Sequence, residues 1–291
     1  MNKYTKLNEP PNLATARRQE LTDITTELLT NPSLKDFKFK AYSTNGVKDM
    51  LKLENHNKCC YCGCFLKDSQ NYSEIEHYRP KKDNPKKNEF NAHGLGYYWL
   101  AAEWDNLFLS CKICNNKKGN RFPLINPQHR FMSSKNIILE KPYLLNYTEH
   151  DYVADEHFKF EKGEIKGLGQ RAIETIQICE LFRDDLTRER RNRALSLKKE
   201  CVEFFEQIDG VNDELTFSTL KYRCRDLKSS KEFFEKYLNH FPNDSHEFST
   251  LESQILNKEI FKNGLTINDF KIILEHEENT INNFKIDNAI D

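Results

Sequence analysis

The chain has 291 residues, 37% of them apolar and 31% charged, a globular composition with room for one large or two modest cores and no bias toward disorder. Its formal charge of −1 excludes a general attraction to polyanions, so any contact with nucleic acid has to come from local asymmetry. The opening MNKYTKLNEPPNL lacks the apolar centre of an export signal and no apolar run is long enough to cross a bilayer, which predicts a cytoplasmic protein with no membrane partner.

Residues 1–12 read as an extended arm, because Glu9-Pro10-Pro11 keeps a helix from starting before Asn12. Leu13 to Leu29 places apolar residues at Leu13, Ala16, Leu21, Ile24, Leu28 and Leu29, the pattern of an amphipathic helix ending before Asn31-Pro32. A second, shorter helix is expected over Asn45 to His56. It leads into the segment around which the rest is organised.

That segment, Cys59 to Gly119, holds two Cys-x-x-Cys pairs, Cys59/Cys62 and Cys111/Cys114. Two such pairs suit a tetrahedral Zn2+ held by four thiolates, since each tight turn offers two sulfurs. The compartment argues the same way: nine cysteines in a reducing environment point to metal, and the odd count fits no complete set of disulfides. Cys60 and Cys64 leave the choice within the first cluster open. The 48 residues between the pairs exceed ordinary finger spacing, so something is inserted between the knuckles.

The insert begins with Ser73 to Tyr78, a short strand ended by Arg79-Pro80, because proline cannot donate to a ladder. Arg79 to Asn88 follows with five basic residues and one acid, net +4. A solvated loop is the plain reading of such a run. Its position just after His77 favours contact with phosphates. His93 reads as an exposed histidine in a flexible turn, and Tyr97 to Trp104 as a helical aromatic run used for core packing more than for base stacking. Asn106 to Ser110 is a second short strand, and Cys114 to Lys118 suits the opening of a helix. The predicted order is strand, long loop, strand, helix, with thiols at the joints.

These residues resemble the HNH endonuclease family, whose ββα-metal site carries a C-x-x-C, then an acid-His-x-x-Pro segment, then Asn-Leu leading to C-x-x-C-Asn-x-x-Lys. Glu76-His77-Tyr78-Arg79-Pro80 matches the first catalytic segment, and Asn106, Leu107, Cys111, Cys114, Asn115 and Lys118 match the second. The resemblance implies His77 as the base that takes a proton from water, and an imidazole titrating near neutrality suits that task. It implies Mg2+ or Mn2+ held by the oxygens of Glu76 and Asn115, with Asn106 holding the loop and Lys118 near the scissile phosphate. Arg79, Lys81, Lys82, Lys86, Lys87 and Lys117 are the basic side chains placed to meet nucleic acid. Neighbours on a regular strand point to opposite faces, so Glu76 and His77 can serve one metal only from a strand end or a bulge.

Beyond Gly119, Arg121 to His129 is an exit from the module, Asn136 to Leu145 could form strands, and Phe158 to Leu168 reads as a hairpin turning at Gly163. From Gly169 the pattern becomes two helices broken near Phe182 to Asp185, with Asp184 or Asp185 capping the second. Arg188, Arg190, Arg191 and Arg193 read as a solvated helix face, and Cys179, Cys201 and Cys224 as buried small hydrophobes. Residues 213–240 and 247–285 supply further amphipathic helices. Ser245 to Asp291, with nine acids and four lysines, suits protein docking better than nucleic acid. No internal repeat and no phosphate-binding lysine loop occurs, so an ATP-driven step would need another polypeptide.

The Glu-Pro-Pro arm, IEHYRPK, YYWLAAEWDNLFLSC and GQRAIETIQICELFRDDLTRERR narrow the resemblance to PtuB-type HNH nucleases of bacterial antiviral systems, over roughly residues 1–200. It implies a nuclease held by a PtuA-type ATPase partner, in Septu or a retron-linked arrangement, with DNA the favoured substrate. RNA, including tRNA, and a zinc-stabilised binding module without turnover stay open. The expected fold is α+β and mostly helical: an arm with helices (1–56), a zinc-stapled ββα-metal module (57–130) and a helical scaffold for partner docking (131–291).

Overall fold

The computed structural model describes residues 3–34, 36–66, 73–83, 95–130, 134–209 and 249–262. Residues 3–187 and Ser249 belong to one compact unit, and residues 188–209 and 250–262 to a second. Within the first, α1 (Pro11–Thr30) starts one residue earlier than expected, because the fixed φ of proline suits the first helical position, where no N–H is needed. Its buried Ile24 joins Leu34, Phe39, Leu95 and Ala101 in a small core against which Tyr42 packs. α2 (Val47–Glu54) buries Val47 and Leu51.

The arm ahead of α1 lies on the body, as the sequence allowed. Tyr4 is buried edge-on against Phe108, with ring centroids 6.0 Å apart. Lys6 donates to Glu54 at 3.1 Å and to the Leu107 carbonyl at 2.7 Å, with its ammonium 4.1 Å above the Trp104 ring. Leu7 N–H takes the other Glu54 oxygen at 2.7 Å. The arm is thereby tied to the strand that leads into the second thiol pair.

β1 (Ser73–His77) and β2 (Leu107–Cys111) form a two-stranded antiparallel sheet, with Glu76 opposite Phe108 and His77 opposite Leu107. α3 (Lys112–Lys118) follows β2 without a break. Its N-cap is Cys111, whose sulfur accepts from Cys114 N–H at 3.3 Å. Strand, strand and helix occur in the predicted order.

Between the strands, the segment after His77 is pinned to the segment before the aromatic run. Tyr97 N–H donates to Pro80 O at 2.8 Å and Gly96 N–H to Lys81 O at 3.1 Å. A Cβ at residue 96 would stand 2.2 Å from Pro80 O, so only glycine permits this approach. The aromatic run is not one helix. It forms two single 3-10 turns, Tyr98–Leu100 and Trp104–Asn106, while Tyr97, Ala101, Ala102 and Trp104 are buried as core.

The expectation of strands over Asn136 to Leu145 is corrected: Ser134–Leu139 is a 3-10 turn, and Leu124 makes an isolated bridge with Pro142. Pro142 cannot donate to a ladder, and the run has no partner strand of its own among the described residues. After a single turn, α4 (Ala154–His157), the hairpin is present as β3 (Phe158–Glu161) and β4 (Glu164–Gly167). Lys162 and Gly163 both have positive φ, 51° and 86°, as a tight two-residue hairpin turn requires. α5 (Gln170–Ile178) and α6 (Asp184–Asp209) are separated where the sequence predicted a break.

In the second unit, Arg190 is fully buried rather than on a solvated face, while Arg193 pairs with Glu252 of α7 (Ser249–Lys262) at 2.5 Å. Cys179 and Cys201 are buried, as expected. Cys224, His93 and the rest of 213–240 and 247–285 lie outside the described residues. No described helix is long and apolar enough to cross a membrane.

Candidate active site and metal centre

The sulfurs of Cys59, Cys62, Cys111 and Cys114 lie within 4.8 Å of one another, and all four residues are buried. A Zn–S bond of about 2.3 Å in a tetrahedron needs sulfurs roughly 3.8 Å apart. Cys62 and Cys111 stand at 3.9 Å, so the donor set suits a structural zinc. The first knuckle is shaped by backbone bonds from Cys59 N–H to Cys64 O and from Gly63 N–H to Cys59 O, both 2.9 Å, around Gly63 at φ 76°. Cys60 is turned out of the cluster, and its N–H instead bonds Leu109 O of β2 at 2.9 Å. Cys64 sits beside the cluster, half-buried, with its sulfur 3.1 Å from that of Cys62. The ambiguity in the first run thus resolves to Cys59 and Cys62. From the break between α5 and α6, Arg183 reaches to 3.5 Å of the Cys114 sulfur, a counter-charge for an anionic tetrathiolate.

Glu76 and His77 leave β1 on opposite sides, as the regular register requires. The Glu76 carboxylate goes inward, where Oε1 accepts from Lys118 Nζ at 2.6 Å and from the Tyr61 hydroxyl at 3.1 Å. Burial pushes its carboxyl above the usual range, and Lys118 and Tyr61 oppose that shift. The Lys118 ammonium also donates to the backbone carbonyl of His77 at 2.8 Å. Lys118 is therefore a buried tie between the end of α3 and the end of β1. Replacing it with Met is expected to strand the Glu76 carboxylate and cost about 3–5 kcal/mol. Urea unfolding measures this, and adding Glu76→Gln should recover most of the loss.

His77 is buried and faces the other way, with its ring edge-on to Tyr42 at 4.6 Å. Nε2 lies 2.8 Å from the Ala101 carbonyl and Nδ1 lies 3.1 Å from Lys81 Nζ. Burial, and then the Lys81 cation, push the imidazole well below its usual value against the pull of the Ala101 carbonyl, so it is neutral at pH 7. Burial likewise lowers the Lys81 ammonium to about 8, with Glu76 opposing.

Asn106 fastens the loop behind His77. Its Oδ1 accepts from Arg79 N–H at 2.8 Å, and its Nδ2 donates to Arg79 O and Leu100 O, both at 3.0 Å. The Arg79 guanidinium pairs with buried Glu140 at 2.5 Å and lies 4.9 Å from the Phe122 ring centre. Lys82 pairs with Asp36, and exposed Lys117 with Glu180 at 2.6 Å. Asn115 is half-buried on α3. Lys86 and Lys87 lie outside the described residues. Tyr42, Tyr61 and Arg183 are additions that sequence reasoning missed. Tyr61 sits between the thiols of CCYC, where an aromatic reads as packing, while the other two come from distant elements.

The described fold and site define a mixed α and β protein centred on a small hairpin and helix, gathered by four buried cysteines that could hold a metal ion. No protein-family model matches the chain. The chain is similar to a Septu protein PtuB of Bacillus mycoides (strain KBAB4), with 35% identity over 199 residues, 65% of this chain and 61% of that protein. It is also similar to a Septu protein PtuB of Bacillus thuringiensis, 39% identical over 82 residues, 27% of this chain and 26% of that one. A Septu protein PtuA of Bacillus mycoides (strain KBAB4) is 27% identical over 138 residues, 47% of this chain and 19% of that one. The matched segments thus span less than two thirds of each of these relatives.

Proposed function

We propose that this chain is a metal-dependent HNH-type endonuclease that hydrolyses phosphodiester bonds in DNA as part of a Septu antiviral defence system, working with a PtuA-type ATPase. The observation that carries the reading is a buried imidazole at the end of β1, its Nε2 2.8 Å from the Ala101 carbonyl, in a hairpin gathered onto α3 by four clustered cysteines. The similarity to proteins named Septu PtuB and Septu PtuA supports the system and the partner.

In this reading His77 accepts the proton of an attacking water, the water oxygen bonds to phosphorus, and the ester P–O bond opposite breaks. Asn106 holds the loop that keeps the imidazole in place, and Lys118 fixes the strand end through the His77 carbonyl. Hard oxygen donors suit Mg2+ or Mn2+. The Glu76 carboxylate is buried on the side of β1 away from His77 and already accepts from Lys118 and Tyr61, so it does not fit a cation at the phosphate that His77 serves; Asn115, half-buried on α3, remains as an oxygen donor, and such a cation would offset charge on the phosphate. Arg79, Lys81, Lys82, Lys86, Lys87 and Lys117 supply the basic side chains near the path of the nucleic acid.

The test offers labelled duplex DNA and structured RNA to the purified chain, with and without a PtuA-type ATPase, across an Mg2+ and Mn2+ series. DNA cleavage that needs the cation is the expected result. Cleavage confined to RNA would move the substrate to the retron-type alternative. No cleavage in any arm, with zinc bound, would make the chain a binding module.

A further inference from the structure

Both nitrogens of the His77 ring are engaged. A carbonyl only accepts, so Nε2 carries the hydrogen that goes to Ala101 O at 2.8 Å. An ammonium only donates, so the lone pair sits on Nδ1 and takes a hydrogen from Lys81 Nζ at 3.1 Å. In this arrangement no lone pair is left for a water proton.

Lys81 also differs from its basic neighbours. Arg79, Lys82, Lys117 and Lys118 each pair with a carboxylate, from Glu140, Asp36, Glu180 and Glu76 respectively. Lys81 instead directs its ammonium at neutral groups, the imidazole nitrogen and the face of the Tyr42 ring, 4.2 Å from its Nζ, while the carboxylates of Glu76 and Glu20 act on it only through space. Tyr42 touches both groups, presenting its face to the ammonium and packing at 78° to the imidazole. The backbone of Lys81 is held by Gly96 N–H. The side chain is thus poised, while the main chain beneath it is fixed.

We propose that Lys81, seated on Tyr42, caps the His77 base in the free protein, and that a substrate phosphate draws the ammonium away and frees Nδ1 for the water proton. The inference rests on His77 being the base. A phosphate oxygen is the stronger acceptor, because it sets a full negative charge opposite the ammonium where the imidazole offers only a neutral lone pair. Nucleic acid would then switch on the site that cuts it, and water alone would find the base occupied.

Nitrogen-15 NMR of the His77 ring reads the cap without any activity. In the free protein the Nδ1 signal should be displaced from the position of an unbonded lone pair. Lys81→Met should move it to that position, and a non-cleavable phosphorothioate duplex should do the same to the unmodified protein. An Nδ1 signal that ignores both changes overturns the proposal, and the duplex arm needs no variant to fold. In single-turnover cleavage, Lys81→Met is expected to raise the half-saturating concentration about tenfold, the effect of one lost charge-assisted contact. A rate at saturation lowered by more than about threefold would place Lys81 in the chemical step and overturn the cap. A protein that cuts neither DNA nor RNA would sink the nuclease reading alone, since the NMR still reports on Lys81.

Discussion

Cys114→Ser is expected to abolish zinc binding and to unfold the hairpin and helix, the largest effect of any single change in this protein. A structural zinc in a small four-thiolate site is worth about 10–16 kcal/mol of apparent folding free energy, and most of that is forfeited when one thiolate becomes a hydroxyl. Cys114 stands in the first turns of α3, where its N–H already bonds the Cys111 sulfur, so no other described thiol is placed to replace it. Cys62→Ser should be milder, because the Cys64 sulfur lies 3.1 Å from that of Cys62 and can take over the vacant ligand position. Cys60→Ala should keep its zinc, since Cys60 is outside the cluster. Metal analysis and a thermal melt of the three variants measure this ranking. Full zinc occupancy in Cys114→Ser would show that the four sulfurs do not act as one site.

His77→Ala is expected to lower kcat by about 10²–10⁴-fold, the usual contribution of a positioned general base. KM should change little, because the ring sits behind Tyr42 and Ala101 and is not among the basic groups that attract phosphate. Zinc content should be unchanged: the imidazole faces away from Glu76, Tyr61 and Lys118, and none of its described contacts is to a cysteine. This separates it from the cysteine variants, in which metal and activity are lost together. Steady-state cleavage with parallel zinc analysis is the measurement. A His77→Ala protein that cuts DNA at the original rate would remove the imidazole from the chemistry.

Much of this arrangement was legible because short-range chemistry carried it. Proline at 10 and 11, asparagine and proline at 31 and 32, and glycine at 163 mark real boundaries, since each restricts the backbone wherever it falls. The paired thiols and the Asn106-Leu107 step located β2 and α3 to within two residues. The aromatic run is less regular than its composition suggests. From Tyr97 onward the chain has helical length, but its bonds go to Pro80 O and its rings to separate neighbours, which break it into two turns. The site was legible in its residue types and less so in its partners. That Glu76 meets Lys118 depends on α3 folding back under β1, and that His77 meets Tyr42 depends on a residue 35 positions earlier. Periodicity does not encode contacts of that range. The alternation of a regular strand did foresee that adjacent Glu76 and His77 would part company.

The two halves of the sulfur cluster are 48 residues apart, and this spacing orders events during synthesis. On a ribosome the first knuckle emerges well before its counterpart, and closing a loop of that length adds only an entropy that grows slowly with chain length. Until residues 107–114 are out of the exit tunnel, β1 has no opposite strand and a metal ion has two of its four thiol ligands. A nascent or prematurely terminated chain that ends ahead of that point therefore carries only half of the sulfur cluster. Assembly of the centre is thereby timed by the order of the polypeptide itself.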